Sequence, residues 1–135
     1  MSILNKIIKT KKNEIELSKK INSISDLEKF DQFNRVTNSL SKSILSNNFG
    51  IIAEHKRKSP SKSIINKKSS VKEVVIGYEN AGVSGISILT DKTYFGGSSE
   101  DLVIARKNTF LPILRKEFIV DEYQIFEAKA LGADA

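Results

Sequence analysis

The chain has no cysteine, a single histidine, two prolines, and no apolar stretch of the ~18 residues needed to cross a membrane as a helix. Without cysteine there is neither a disulfide framework nor a thiolate metal site. With one histidine, a metal cluster would have to be built from carboxylates, so no metal and no other cofactor is expected. Met1-Ser2-Ile3-Leu4-Asn5-Lys6 carries no apolar core of the signal-peptide kind, so the expectation is a cytoplasmic protein with no membrane partner.

What is present is ordinary for a globular domain: 135 residues, 39% hydrophobic and 28% charged. Lys and Arg total 22 against 16 Asp and Glu, a net charge of +6. The excess is spread over several segments. The densest run, Lys56-Arg57-Lys58 with Lys62, Lys67 and Lys68, has no interleaved aromatics for base stacking, so no nucleic-acid partner is expected. A diffuse positive balance also suits a small substrate bearing phosphate and carboxylate.

The first 48 residues read as helical. Ile3, Leu4, Ile7 and Ile8 form a stripe that resumes at Ile15, Leu17 and Ile21 after a polar stretch from Lys11 to Glu14. Ser25 with Glu28 has the capping-box spacing for a second short helix, and Leu40, Ile44 and Leu45 suggest a third. From Gly50 the pattern changes to strand and helix in alternation. Strands are expected at Ile51–Lys56, Gly85–Thr90 and Pro112–Lys116. Ser70 with Glu73 caps the first intervening helix, which stops near Gly82, and Ser98 or Ser99 caps the second. Asp121 caps a third, carrying Ile125, Phe126, Ala128 and Leu131 and ending at Gly132; a further strand should begin at Ala133-Asp134-Ala135. Such alternation implies a parallel sheet with right-handed crossovers, and three units leave two open edges through which copies would associate.

In a parallel α/β fold the C-terminal strand ends share one side, where ligands bind. There the strands offer Glu54 and Lys56, then Thr90 and Asp91, then Lys116 and Glu117. Glu54 and Lys56, two apart on a strand, point the same way, and His55 points to the other face. Lys56 and Lys116 should therefore converge beside Glu54. A partly desolvated lysine among cations would have a lowered pKa and suit general acid catalysis. Ordinary rim ion pairs are the plain alternative, and spacing alone leaves both readings open.

Ile52-Ala53-Glu54-His55-Lys56-Arg57-Lys58-Ser59-Pro60-Ser61-Lys62 resembles the signature of indole-3-glycerol phosphate synthase. Ser87-Ile88-Leu89-Thr90-Asp91, Tyr94-Phe95-Gly96-Gly97-Ser98, Leu114-Arg115-Lys116-Glu117-Phe118-Ile119, Gln124, Glu127-Ala128 and Gly132-Ala133-Asp134 continue the resemblance in order. It implies a (β/α)8 TIM barrel, of which residues 1–48 are an N-terminal helical extension and residues 49–135 the first three βα units. It also implies a lyase of tryptophan biosynthesis, acting on the phosphorylated small molecule 1-(2-carboxyphenylamino)-1-deoxyribulose 5-phosphate. Lys116 would protonate the ribulose carbonyl, Lys56 would hold the substrate carboxylate and share in proton transfer, and Glu54 would orient the lysines or the substrate hydroxyls. Ser59 and Ser61 would line the site, with Phe95 and Phe118 packing on the aromatic ring.

The sequence departs from the family at His55, where a bulky apolar residue is usual, and at Ser63, where glycine is usual. A complete barrel of this family runs to roughly 250 residues and grips phosphate with loops after strands seven and eight, so these 135 residues should hold half an active site. The rivals are an inactive half-barrel that binds phosphorylated ligands weakly or self-associates, and another phosphate-handling barrel such as phosphoribosylanthranilate isomerase. That isomerase lacks the helical preamble.

Overall fold

The computed structural model describes residues 1–135. Helix α1 spans Ile3–Ile21, with the Ser2 hydroxyl accepting from the Asn5 amide at its start and Lys19 and Lys20 in its last turn. Its buried face is Ile7, Lys11 and Ile15, spaced four residues apart, so the polar stretch read from the sequence contains a buried cation. Helix α2 is Ile24–Leu27, and its cap is Ser23 rather than Ser25. Asp26 accepts from the Ser23 amide and Ser23 from the Asp26 amide, closing the box two residues earlier than expected. Helix α3, Leu40–Ser46, is capped by Ser39.

Strands β1 (Ile52–His55), β2 (Gly85–Leu89) and β3 (Ile113–Lys116) form a parallel sheet in the order β1-β2-β3. Helix α4 (Val71–Asn80) carries the Ser70–Glu73 capping box, and Gly82 follows it at φ +81°. Helix α5 is Ser99–Asn108, capped by Ser98. Helix α6 is Tyr123–Leu131; its N-cap position is Glu122, which makes no side-chain cap, but Asp121 accepts from the Tyr123 amide. Ile125 on α6 is exposed, and the buried side chains there are Tyr123, Gln124 and Ala130. Beyond Gly132 the backbone of Asp134 and Ala135 donates to the Ile113 carbonyl, and the Arg115 amide donates to Ala135. Residues 133–135, where a further strand was expected, thus run beside β3 without forming a strand of their own.

The main core lies on one face of the sheet, where Ile86, Ile88 and Ile113 meet Val71 and Val75 of α4 and Leu102 and Ala105 of α5. Burying each large aliphatic side chain contributes about 1.5–3 kcal/mol. A second cluster joins α1 to α6 through Ile15, Leu27, Tyr123 and Ala130. The Tyr123 hydroxyl adds hydrogen bonds to the carbonyls of Ser18 and Asn22 at 3.2 and 2.7 Å. No helix is long and apolar enough to cross a membrane.

Asp134 ties the pieces together. Its buried carboxylate accepts from the amides of Asn38 and Ile113, both at 2.8 Å, and pairs with Arg35 at 2.9 Å and Arg106 at 2.7 Å. One side chain thereby joins the segment before α3, the end of α5 and the start of β3.

Candidate active site

The register places Glu54, Ser87 and Leu114 side by side across the sheet, on the face opposite the helix-covered core. Lys116 is the residue after next from Leu114 and stands on that same face. Glu54 is the hub. One of its oxygens accepts from Lys116 Nζ at 2.9 Å and from Ser87 Oγ at 3.0 Å, and the other lies 3.6 Å from Lys56 Nζ. Burial alone would raise the pKa of this carboxyl, but the hydrogen bonds from Lys116 and Ser87, with the charges of both lysines, hold it below the usual range. The main chain is fixed as well: the Tyr78 hydroxyl of α4 donates to the Glu54 carbonyl at 2.8 Å.

The two lysines are thus brought together on one carboxylate. The Lys116 side chain is 55% exposed and its nearest charged neighbour is a carboxylate, so the desolvated, cation-rich setting expected for it is not what these residues supply. Ser87 was missed as a site residue because a serine inside an apolar strand is an unremarkable sequence feature. Its register opposite Glu54 is the signal that finds it.

Thr90, Asp91 and Glu117, expected on the same rim, face elsewhere. Thr90 donates to Glu117 at 2.8 Å, and both Asp91 and Glu117 pair with Lys11 of α1, at 2.9 and 3.1 Å. Lys116 points to the open face, so its neighbour Glu117 points to the other by strand alternation. Burial works against the charge on Lys11, yet Glu14, Asp91 and Glu117 hold its pKa well above the usual lysine range.

Phe95, in the loop after β2, and Phe118, just after β3, lie with ring centroids 6.0 Å apart and planes tilted by 40°. Asp91 holds the first loop by accepting from the amides of Tyr94 and Phe95 at 2.7 and 3.1 Å. Gly97 passes so close to the Leu89 carbonyl that a Cβ there would sit 2.0 Å from its oxygen, which explains a glycine at this point.

Ser59 and Ser61 are less engaged. Their hydroxyls bond each other at 3.1 Å, and Ser59 also accepts from the Lys62 amide. Neither bonds Glu54, Lys56 or Lys116, and Ser61 is exposed. The loop is held instead by the Ile65 and Asn66 amides donating to the Arg57 carbonyl and by Lys58 donating to the Thr93 carbonyl. Arg57 itself pairs with Asp101 at the start of α5. No residue other than glycine has a positive φ, so the loop accommodates Ser63 without backbone strain.

His55 is buried on the core side, away from Glu54 and Lys56. Burial, and then the nearby Arg57 charge, depress its pKa, with Asp101 opposing. Its stabilising contribution is therefore complete above the unfolded-state value of about 6.5 and is lost as pH falls through the folded-state value. Urea melts between pH 7.5 and 5 should show stability declining over that window, and His55→Leu should flatten the decline. An unchanged pH dependence in the leucine variant would contradict this.

A family model described as indole-3-glycerol phosphate synthase matches residues 4–135. Among curated relatives carrying that name, the Bacteroides thetaiotaomicron protein is 44% identical over 133 residues, which are 98% of this chain and 51% of the relative. A Prochlorococcus marinus protein is 45% identical over 136 residues, 99% of this chain and 46% of the relative. A Clostridium acetobutylicum protein is 40% identical over 134 residues, 98% and 51% respectively. The chain spans about half the length of the curated relatives it matches.

Proposed function

Since this chain belongs to the indole-3-glycerol phosphate synthase family, a family of TIM barrels, we propose that it supplies the acid–base half of that enzyme's active site. Residues 1–48 are the extension, and residues 49–135 are the first three βα units of the barrel. The observation that carries the reading is the convergence of Lys116 and Lys56 on Glu54.

The substrate is 1-(2-carboxyphenylamino)-1-deoxyribulose 5-phosphate. Its ring carbon bearing the carboxylate attacks the ribulose carbonyl carbon, and Lys116 delivers a proton to the carbonyl oxygen as the C–C bond forms. The carboxylate then leaves as carbon dioxide, and the electron pair of the broken bond returns to the ring. Loss of the new hydroxyl as water, with one proton lost from the ring system, completes the indole. Lys56 holds the substrate carboxylate before it leaves, and Glu54 keeps both ammonium groups aimed until substrate displaces it. Phe95 and Phe118 provide an apolar slot for the ring. Ser59 and Ser61 line the entrance from the first loop, their hydroxyls released from each other when substrate offers an acceptor.

The complete protein, given this substrate, should release carbon dioxide and develop indole absorbance. An isomerase of phosphoribosylanthranilate would release none, and its absence would overturn the assignment. Residues 1–135 on their own should show no measurable turnover, because the phosphate-gripping loops of such barrels follow strands seven and eight. They should also self-associate through the open side of β1 in light scattering. A monomeric, active preparation would contradict both.

A further inference from the structure

Lys11 has no part in the chemistry above, yet it is 4% exposed and stands at 2.6, 2.9 and 3.1 Å from the carboxylates of Glu14, Asp91 and Glu117. One buried cation facing three anions is not a stabiliser chosen for economy, since an apolar side chain in line with Ile7 and Ile15 would cover the same face. What distinguishes the arrangement is where the carboxylates lead. Asp91 accepts the amides of Tyr94 and Phe95, and Glu117 accepts the amide of Phe118 at 2.9 Å. Both walls of the aromatic slot therefore hang from carboxylates that Lys11 neutralises. Two further contacts join the same helix to the same loop: Thr10 with the Tyr94 hydroxyl at 3.1 Å, and Thr93 with Glu14 at 3.2 Å.

We propose that Lys11 is a positioning residue for ring closure: from helix α1 it sets the spacing of Phe95 and Phe118, and with it the strand end that carries Lys116. This rests on the function proposed above. The cation balances Asp91 and Glu117, so each carboxylate can turn one oxygen to backbone amides without repelling the other. Without it, the two loops carry like charges at close range and separate, widening the slot. A displacement of an ångström at the reacting centre costs about 10²-fold in rate.

The test uses the complete enzyme carrying Lys11→Met, which preserves side-chain length and apolar cover. Folding is checked by circular dichroism, turnover by indole absorbance, and loop order by amide hydrogen exchange. We expect kcat/KM to fall tenfold or more. Protection at the Tyr94, Phe95 and Phe118 amides should fall at least tenfold further than at Ile86 and Ile88 in the middle of β2. Lys11→Arg should recover most of both. A folded Lys11→Met variant with kcat/KM within twofold of the parent would overturn the proposal. So would a loss of protection shared equally by β2 and the loops, which would mark Lys11 as a general stabiliser. If Lys11→Met does not fold, the pair Thr10→Val and Tyr94→Phe decides through the second tether. Faster exchange confined to the Tyr94 and Phe95 amides, with reduced turnover, supports positioning by α1, and unchanged exchange there overturns it. The exchange comparison needs no turnover, so an inactive parent enzyme would count against the proposed reaction and leave this inference to be decided separately.

Discussion

Replacing Lys116 with alanine in the complete enzyme should slow ring closure by about 10²–10⁴-fold, the range for removing a positioned general acid. The family resemblance puts this lysine ahead of Lys56, and its contacts suit the role. Lys116 donates to Glu54 at 2.9 Å, while Lys56 stands 3.6 Å from the same carboxylate. Lys116 is also the last residue of β3, two before Phe118, so the acid and one wall of the ring slot stand close together in the chain. Single-turnover rates with saturating substrate isolate the effect on chemistry. Lys56→Ala should raise KM more than it lowers kcat, because a carboxylate-holding cation contributes to ground-state binding. Near-normal turnover by Lys116→Ala would end the assignment of the acid, and an equal loss in both variants would point to shared proton transfer.

Asp134→Ala should be the most damaging single change to stability, at about 3–5 kcal/mol, the range for removing one partner of a buried ion pair. Its carboxylate is fully enclosed, and the change leaves Arg106 buried and unpaired, with two amides lacking their acceptors. Burial would raise the pKa of this carboxyl, but the amides of Asn38 and Ile113 and the two guanidinium groups outweigh it and hold it low. The contribution is therefore complete above the unfolded-state value of about 3.9 and is lost as pH falls through the folded-state value. Urea unfolding followed by circular dichroism measures the change directly. A loss below about 1 kcal/mol would show that Arg35 and Arg106 find other partners.

Much of the fold was legible because its signals are local. The Ser70–Glu73 box, the glycines at 82 and 132 and the short apolar runs each specify their own few residues, and the structure places the elements where they point. The second helix is where it was expected but its cap is Ser23 rather than Ser25, because Ser23–Asp26 and Ser25–Glu28 offer the same spacing and only the geometry shows which pair closes. At the site, alternation along β1 separated Glu54 from His55 correctly. Thr90, Asp91 and Glu117 do lie at the C-terminal strand ends; alternation turns Thr90 and Glu117 away from Glu54, whereas Asp91 is drawn away by Lys11. Lys11 could have been suspected from its place midway between Ile7 and Ile15, but two of its partners, Asp91 and Glu117, lie some eighty and a hundred residues further along, beyond any periodicity.

Those separations bear on the order in which the molecule assembles during synthesis. Each strand pairs with the next one in sequence, so the sheet can extend as the chain leaves the ribosome at about 5–20 residues per second. Helix α1 emerges first, but its lock on the sheet requires Asp91 and then Glu117, the second of which appears only after β3. The segment made earliest is thus among the last to be seated. Until then α1 is free to leave the nascent sheet, and a chaperone or protease meeting the chain in that interval would find its hydrophobic stripe uncovered.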